Sequence, residues 1–440
     1  MNYNYPEMAD LSELESKLRE YSRLQYEYGA SKDDIEKVIN ETYKKIAEMT
    51  EKIKSLPGDP ELEKREPNSL KDIKRLRPSG PRNMWSEFNN DKYSEKLQGA
   101  LRGRFAGCLL GAPVEFWSTE NMKKWAEKIG DQFPPENYWS RIKNPEGIRY
   151  EVSKNKEYTR NKLAGVPVDD DITYTILGLL IMEDYGPGFS IEDIGQAWLK
   201  YLPYACTAEE VALKNLQAGL PARQAAEKEN PFVQWIGADI RSDPWGYLAP
   251  GLPEKAAEMG YRDAYISHRR NGIYGEMYFS AVIAAAFAVE DTLTALQIGL
   301  SEIPENCLLA GDIRWALTES EDVSDYQDAI SAVESRFDRM SPVHTNLNAC
   351  LTIFGLLIGE NDFTKVIGET VAMGYDNDCT AATAGSIFGA VHGINNIPEY
   401  WYKNFNNQVI TYIKGKEDFA IDDLVKRFEV QAKNVFANLK

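Results

Sequence analysis

Apolar residues at the start of the chain recur with the period of a helix. Leu11, Leu14, Leu18 and Tyr21 share one face. After Gly29 a second run, Ile35, Ile39, Thr42, Ile46, Met49, Ile53 and Leu56, forms a stripe with a period of about 3.5 residues. Ser31 followed by Asp34 predicts the start of that second helix, and Pro57-Gly58-Asp59-Pro60 predicts its end. The pair reads as a helical hairpin that either packs on the rest of the chain or makes a coiled-coil-like contact, which would allow self-association or partner docking through these helices. A proline-bearing connector follows, from Glu66-Pro67 to Pro78-Ser79-Gly80-Pro81. The division this predicts is a hairpin with its connector over residues 1–95 and a main domain over 96–440.

Beyond Lys96 the pattern is helix after helix. Ile191 to Tyr201, Ala208 to Ala218, Phe279 to Val289 and Leu351 to Ile358 are rich in Ala, Leu and Ile, and alternating β-branched runs are scarce. The fold class predicted is therefore all-α. Residues 231 to 278 differ in kind, because Trp235, Trp245, Tyr247, Tyr261, Tyr265, Tyr274 and Tyr278 are interleaved with glycine and proline. Such a segment suits a pocket wall for a planar group, and ordinary loop packing explains it as well.

Composition narrows the classes. A formal charge of -18 argues against a nucleic-acid or anionic-membrane surface. No apolar run reaches the roughly 18 residues of a membrane span. No basic start precedes an apolar run, so a cytoplasmic protein is expected. Five cysteines without a CxxC pair fit a reducing compartment.

Two acidic clusters carry the candidate chemistry. Asp169-Asp170-Asp171 stands between Pro167-Val168 and an apolar helical run. Helix capping explains such a triplet, but unpaired carboxylates beside apolar residues are unfavourable, and a divalent cation would remove the difficulty. Asp376-Asn377-Asp378-Cys379 repeats the arrangement at the head of a helix whose spine is Gly385, Gly389 and Gly393. Small residues at that spacing let another helix come close, although each helical glycine costs about 1 kcal/mol relative to alanine. Carboxylates are hard ligands that select Mg²⁺ or Mn²⁺. Glu115 closes the glycine-punctuated run from Gly107 and is a third candidate. His268-Arg269 is the concentrated basic spot, open between a phosphate contact and a solvated turn. None of His268, His344 and His392 is spaced for zinc, and His344 reads as a structural residue or one that orients a ligand. Cys379 among acids is a poor nucleophile. A GxSxG elbow and a Walker loop are both absent.

Over roughly residues 97 to 395 the chain resembles the ADP-ribosylglycohydrolase family, which includes the dinitrogenase-reductase-activating glycohydrolases. The resemblance rests on GCLLGAPVEF at Gly107 to Phe116, DDDITYT at Asp169 to Thr175, HTNLN at His344 to Asn348, and GYDNDCTAATAGSIFGAVHG at Gly374 to Gly393. It implies an all-helical domain that uses two Mg²⁺ ions, or Mn²⁺, to cleave the N- or O-glycosidic bond of ADP-ribose. Carried over by position, it implies metal ligands at Asp169, Asp170, Asp171, Asp376, Asp378 and Cys379, and catalytic roles for Glu115, Asp170 and Asp376. Substrate contacts would fall to His268, Arg269, Tyr274, His344 and Asn348. Asp169 and Cys379 stand where the family has threonine, and Cys108 where it has aspartate. A register anchored on Val168 would move the first ligand pair to Asp169 and Asp170, whereas the register adopted matches Tyr174 and Thr175 to the family's Met-Thr pair. The expected substrate is a small molecule or an ADP-ribosylated group. The rivals are a hydrolase of another nucleotide-like or glycosidic compound, a catalytically idle metal-containing binding module, and a helical scaffold whose aspartates only cap helices.

Overall fold

The computed structural model describes Tyr5 and residues 11–439, and is all-α with two small two-stranded antiparallel hairpins. One compact unit ends at Lys64 and a second begins at Arg65.

In the first unit, helices Ser12–Glu27 and Lys32–Lys54 form the hairpin, and the Ser31 hydroxyl accepts the Asp34 N–H at the start of the second helix. Neither helix buries a residue, and the stripe on the second stays open, with Ile46 55% and Leu56 70% exposed. The proline-bearing stretch after Arg65 packs within the larger unit. Glu66 is buried and accepts from the Arg270 and Asn271 side chains and from the Leu308 N–H, while Ile73, on the short helix Leu70–Leu76, is fully buried.

Within the larger unit, helix Asn271–Ala286 is buried along its whole length, as its all-round apolar sequence demands. Helices Asp170–Tyr185, Thr345–Gly359 and Asn377–His392 are buried almost as completely. No helix among the described residues is long and apolar enough to cross a membrane.

One contact positions the site. Helices Asn90–Gly111 and Asn377–His392 run antiparallel with backbones touching. A Cβ placed on Gly103 would lie 2.3 Å from the Gly385 carbonyl oxygen, one on Gly107 2.0 Å from that of Ala381, and one on Gly389 2.2 Å from that of Gly99. No side chain fits at these positions, which accounts for glycines that are otherwise unfavourable in helices. Because the pair is antiparallel, the C-terminal end carrying Glu115 meets the N-terminal end carrying Asp376 and Asp378. The Phe116 N–H bonds the Tyr375 carbonyl at 3.1 Å and fastens the two ends together.

Candidate active site

Each acidic motif is set by its local backbone. Val166 pairs with Val409 in an isolated parallel bridge, and Asp169 leaves that strand in extended conformation to cap helix Asp170–Tyr185. One Asp169 oxygen accepts the Asp171 N–H at 3.1 Å, so capping is part of its role. Asp376 is different. It makes no side-chain cap, and its Oδ1 is buried without a hydrogen-bond partner, as are Asp378 Oδ1 and Asp171 Oδ2. Capping therefore does not account for the second cluster.

The two clusters meet through an arginine that the sequence reading did not single out. Arg149, on the two-residue strand Ile148–Arg149, donates from Nε to Asp169 Oδ2 at 2.9 Å, from Nη1 to Glu115 Oε2 at 2.5 Å, and from Nη2 to Asp378 Oδ2 at 2.6 Å. Its neighbour Tyr150 donates its hydroxyl to Asp170 Oδ1 at 2.6 Å. Three separate stretches of chain are thus joined at one guanidinium. Asp171 belongs to a deeper layer, where Arg104 spans it and Asp243 at 3.0 and 2.6 Å, all three side chains being fully buried.

Glu115, Asp170 and Asp376 face a cavity of about 200 Å³ that is also lined by Tyr150, Trp235 and Cys379 among others. A larger one of about 540 Å³ shares Phe116 and adds Trp117, Glu334 and Tyr375. Burial is the main electrostatic force on the site. It pushes the Asp169 carboxyl up to about 7 against the pull of Arg149. Asp376 is likewise raised to about 7 by burial and then by Glu115, and Asp378 is raised further for the same two reasons. Burial and the surrounding aspartates push the Cys379 thiol up.

Two groups of side chains have ligating atoms all within 4.8 Å of one another: Asp376, Asp378 and Cys379, and Cys108, Asp169 and Asp171. The partnerless buried carboxylate oxygens are hard donors, which fit a divalent cation of the Mg²⁺ or Mn²⁺ kind.

The residues expected to touch substrate sit elsewhere. His268 is fully buried with Nδ1 on the Ser267 hydroxyl, and Arg269 donates to the carbonyls of Tyr265, His268 and Arg223. The Tyr274 hydroxyl bonds the Pro67 carbonyl, and the Asn348 amide bonds those of Pro342 and His344. His344 caps helix Thr345–Gly359 by accepting the Asn346 N–H at 3.2 Å, and its backbone pairs with that of Trp235. None of these five lines either cavity around Phe116. Of the aromatic segment, Trp235 reaches the cavity wall, whereas Trp245, Tyr247, Tyr274 and Tyr278 fill the core.

A sequence model of the family described as ADP-ribosylglycohydrolase matches residues 89–434. A solved structure described as an ADP-ribosylglycohydrolase-related protein complex is similar with a TM-score of 0.49 and 17% identity, over 79% of this chain and 99% of that chain. No curated protein matches.

Proposed function

This chain belongs to the ADP-ribosylglycohydrolase family, and from that premise we propose that it hydrolyses the N- or O-glycosidic bond of an ADP-ribosyl or related riboside substrate with the help of Mg²⁺ or Mn²⁺. The observation that carries the reading is the meeting of Glu115, Asp170 and Asp376 on one cavity, with Asp169 and Asp378 tied to Glu115 through Arg149 behind it and buried oxygens of Asp376 and Asp378 left partnerless.

Asp376, Asp378 and Asp170 would hold the cation, which when bound would supply positive charge for ribose hydroxyls and for the attacking water. Glu115, half-buried on the cavity wall, is placed to accept the water's proton, and Asp170 shares that edge. The ring of carboxylates favours positive charge developing on the sugar as the glycosidic bond breaks. Trp235 and Phe116 supply the apolar wall that limits water, and the cavity beyond Phe116 gives room for the rest of a nucleotide.

The test is release of ADP-ribose from ADP-ribosyl-arginine, ADP-ribosyl-serine and simpler ribosides, with Mg²⁺ or Mn²⁺ and after chelation. Turnover that survives complete chelation overturns the metal-dependent reading. One observation favours a second reading, a binding module without turnover: a guanidinium already lies among three of the carboxylates. Tight ADP-ribose binding with no cleavage anywhere in the panel would establish it.

A further inference from the structure

We propose that Arg149 is a built-in cation that takes the place of one of the two expected metal ions, so that this chain holds a single divalent ion on the Asp376–Asp378 side of the site. The inference rests on the metal-dependent reading above and specifies its stoichiometry.

The two candidate ligand groups are not equally free. In the group Cys108, Asp169 and Asp171, both Asp169 oxygens are engaged, one by the Asp171 N–H and the other by Arg149 Nε, and Arg104 holds Asp171 Oδ1, which leaves Asp171 Oδ2 as the one partnerless carboxylate oxygen. In the group Asp376, Asp378 and Cys379, one oxygen of each aspartate is buried with no partner. Arg149 also bridges the groups, since Nη2 takes the second Asp378 oxygen at 2.6 Å. An ion seated between Asp169 and Asp378 would have to occupy the guanidinium's position.

Arg149 is also fixed in place. Tyr150, the next residue, stacks against Tyr204 with ring centres 6.4 Å apart and tilts against Tyr412 at 5.5 Å. The Tyr204 hydroxyl donates to the Tyr150 carbonyl at 2.9 Å, and the Tyr150 hydroxyl holds Asp170. Tyr150 and Glu151 have φ of 51° and 58°, a left-handed turn that non-glycine residues adopt only where surrounding contacts enforce it. A guanidinium keeps its charge at all physiological pH and presents several N–H groups in a rigid fork, which suits it to hold three carboxylates permanently. Its positive charge also repels a second ion brought to the same edge.

The experiment is Mn²⁺ titration of the intact protein, followed by calorimetry and by the electron paramagnetic resonance of free Mn²⁺. The expected result is one bound ion per chain for the native protein and for Arg149→Lys, and two for Arg149→Ala. Two ions on the native protein overturn the proposal whatever the variants do, and so does an Arg149→Ala protein that is folded by circular dichroism and still binds one. No ion on any of the three overturns the metal-dependent reading itself, and the inference falls with it.

Discussion

Arg149 and Arg241 each hold three carboxylates at the margin of one cavity, yet the two clusters are built to different ends. Arg241 bonds Asp263 and Glu209 at 2.6 Å and Glu276 at 3.4 Å, with the Trp198 ring 5.1 Å away. The other Glu276 oxygen accepts the Trp245 indole N–H at 2.8 Å. Burial and then Asp263 push the Glu276 carboxyl well up, against the pull of Arg241. Around Arg149, Glu115 faces the cavity while Asp169 and Asp378 are buried, and Asp378 Oδ1 and the neighbouring Asp376 Oδ1 stay partnerless, whereas no buried oxygen of Glu209, Asp263 or Glu276 does. A count of ion pairs does not separate the two clusters. The unsatisfied acceptors do, because a satisfied network rigidifies a core while an unsatisfied one invites a ligand.

The comparison breaks most decisively at Asp376. Replacing it with alanine removes a partnerless ligand oxygen and no helix cap, so the protein should fold while kcat/KM falls by at least about 10⁴-fold, roughly 5.5 kcal/mol of barrier. Activity assays beside a melting curve decide it, and near-native turnover would remove Asp376 from the machinery. The converse holds at Arg241. Arg241→Met leaves carboxylates buried with no counter-charge and should lower unfolding stability by about 4 kcal/mol in urea titrations, whether or not a divalent cation is added. A loss under about 1 kcal/mol would mean that the cluster is not structural.

The contrast between the clusters also marks how far the sequence could be read. Small residues from Gly385 to Gly393 and the run from Gly107 imply close helix approach, and that approach is what brings Glu115 to Asp376 and Asp378. Helix starts at Ser31, Asp169 and Asp376 follow from polar residues placed before apolar periodicity. Arg149 was illegible for a physical reason. It sits on a two-residue strand whose turn is imposed by tertiary contacts with Tyr204 and Tyr412, and no periodicity in residues 130–168 marks it. The polar side chains of His268, Arg269, Tyr274 and Asn348 look available in sequence because their partners are mostly backbone carbonyls, which carry no residue signature.

His344 tests the wall that carries Trp235. Burial lowers its pKa to about 4, so the folded protein keeps the ring neutral and its Nδ1 free to accept the Asn346 N–H. The unfolded chain takes up the proton near 6.5, so this stabilisation is complete above that pH and is lost as pH falls towards 4. Allowing for partial exposure, the loss should be about 2 kcal/mol between pH 7 and 4.5. His344→Asn keeps a capping acceptor that does not titrate, so its stability should fall less over the same interval. Equal slopes for the two proteins would show that His344 does not set the acid sensitivity.

The smallest effect discriminates most sharply. Arg149→Ala, like Arg241→Met, strips a guanidinium from three carboxylates, but here one of them, Glu115, is a quarter exposed on the cavity wall and Asp378 keeps a partnerless oxygen. Without metal the loss should be only about 1 kcal/mol, well below the penalty for a sealed cluster. If the proposed cation site is real, saturating Mn²⁺ should favour the folded chain over the unfolded one and restore that loss by mass action, more fully in the variant than in the native protein. At Arg241 an added cation should not substitute, because no buried oxygen of Glu209, Asp263 or Glu276 is left without a partner and none of the three is as exposed as Glu115. If Arg149→Ala melts as far below the native protein as Arg241→Met does, and Mn²⁺ leaves the gap unchanged, the two clusters are the same kind of structure and the difference drawn between them is wrong.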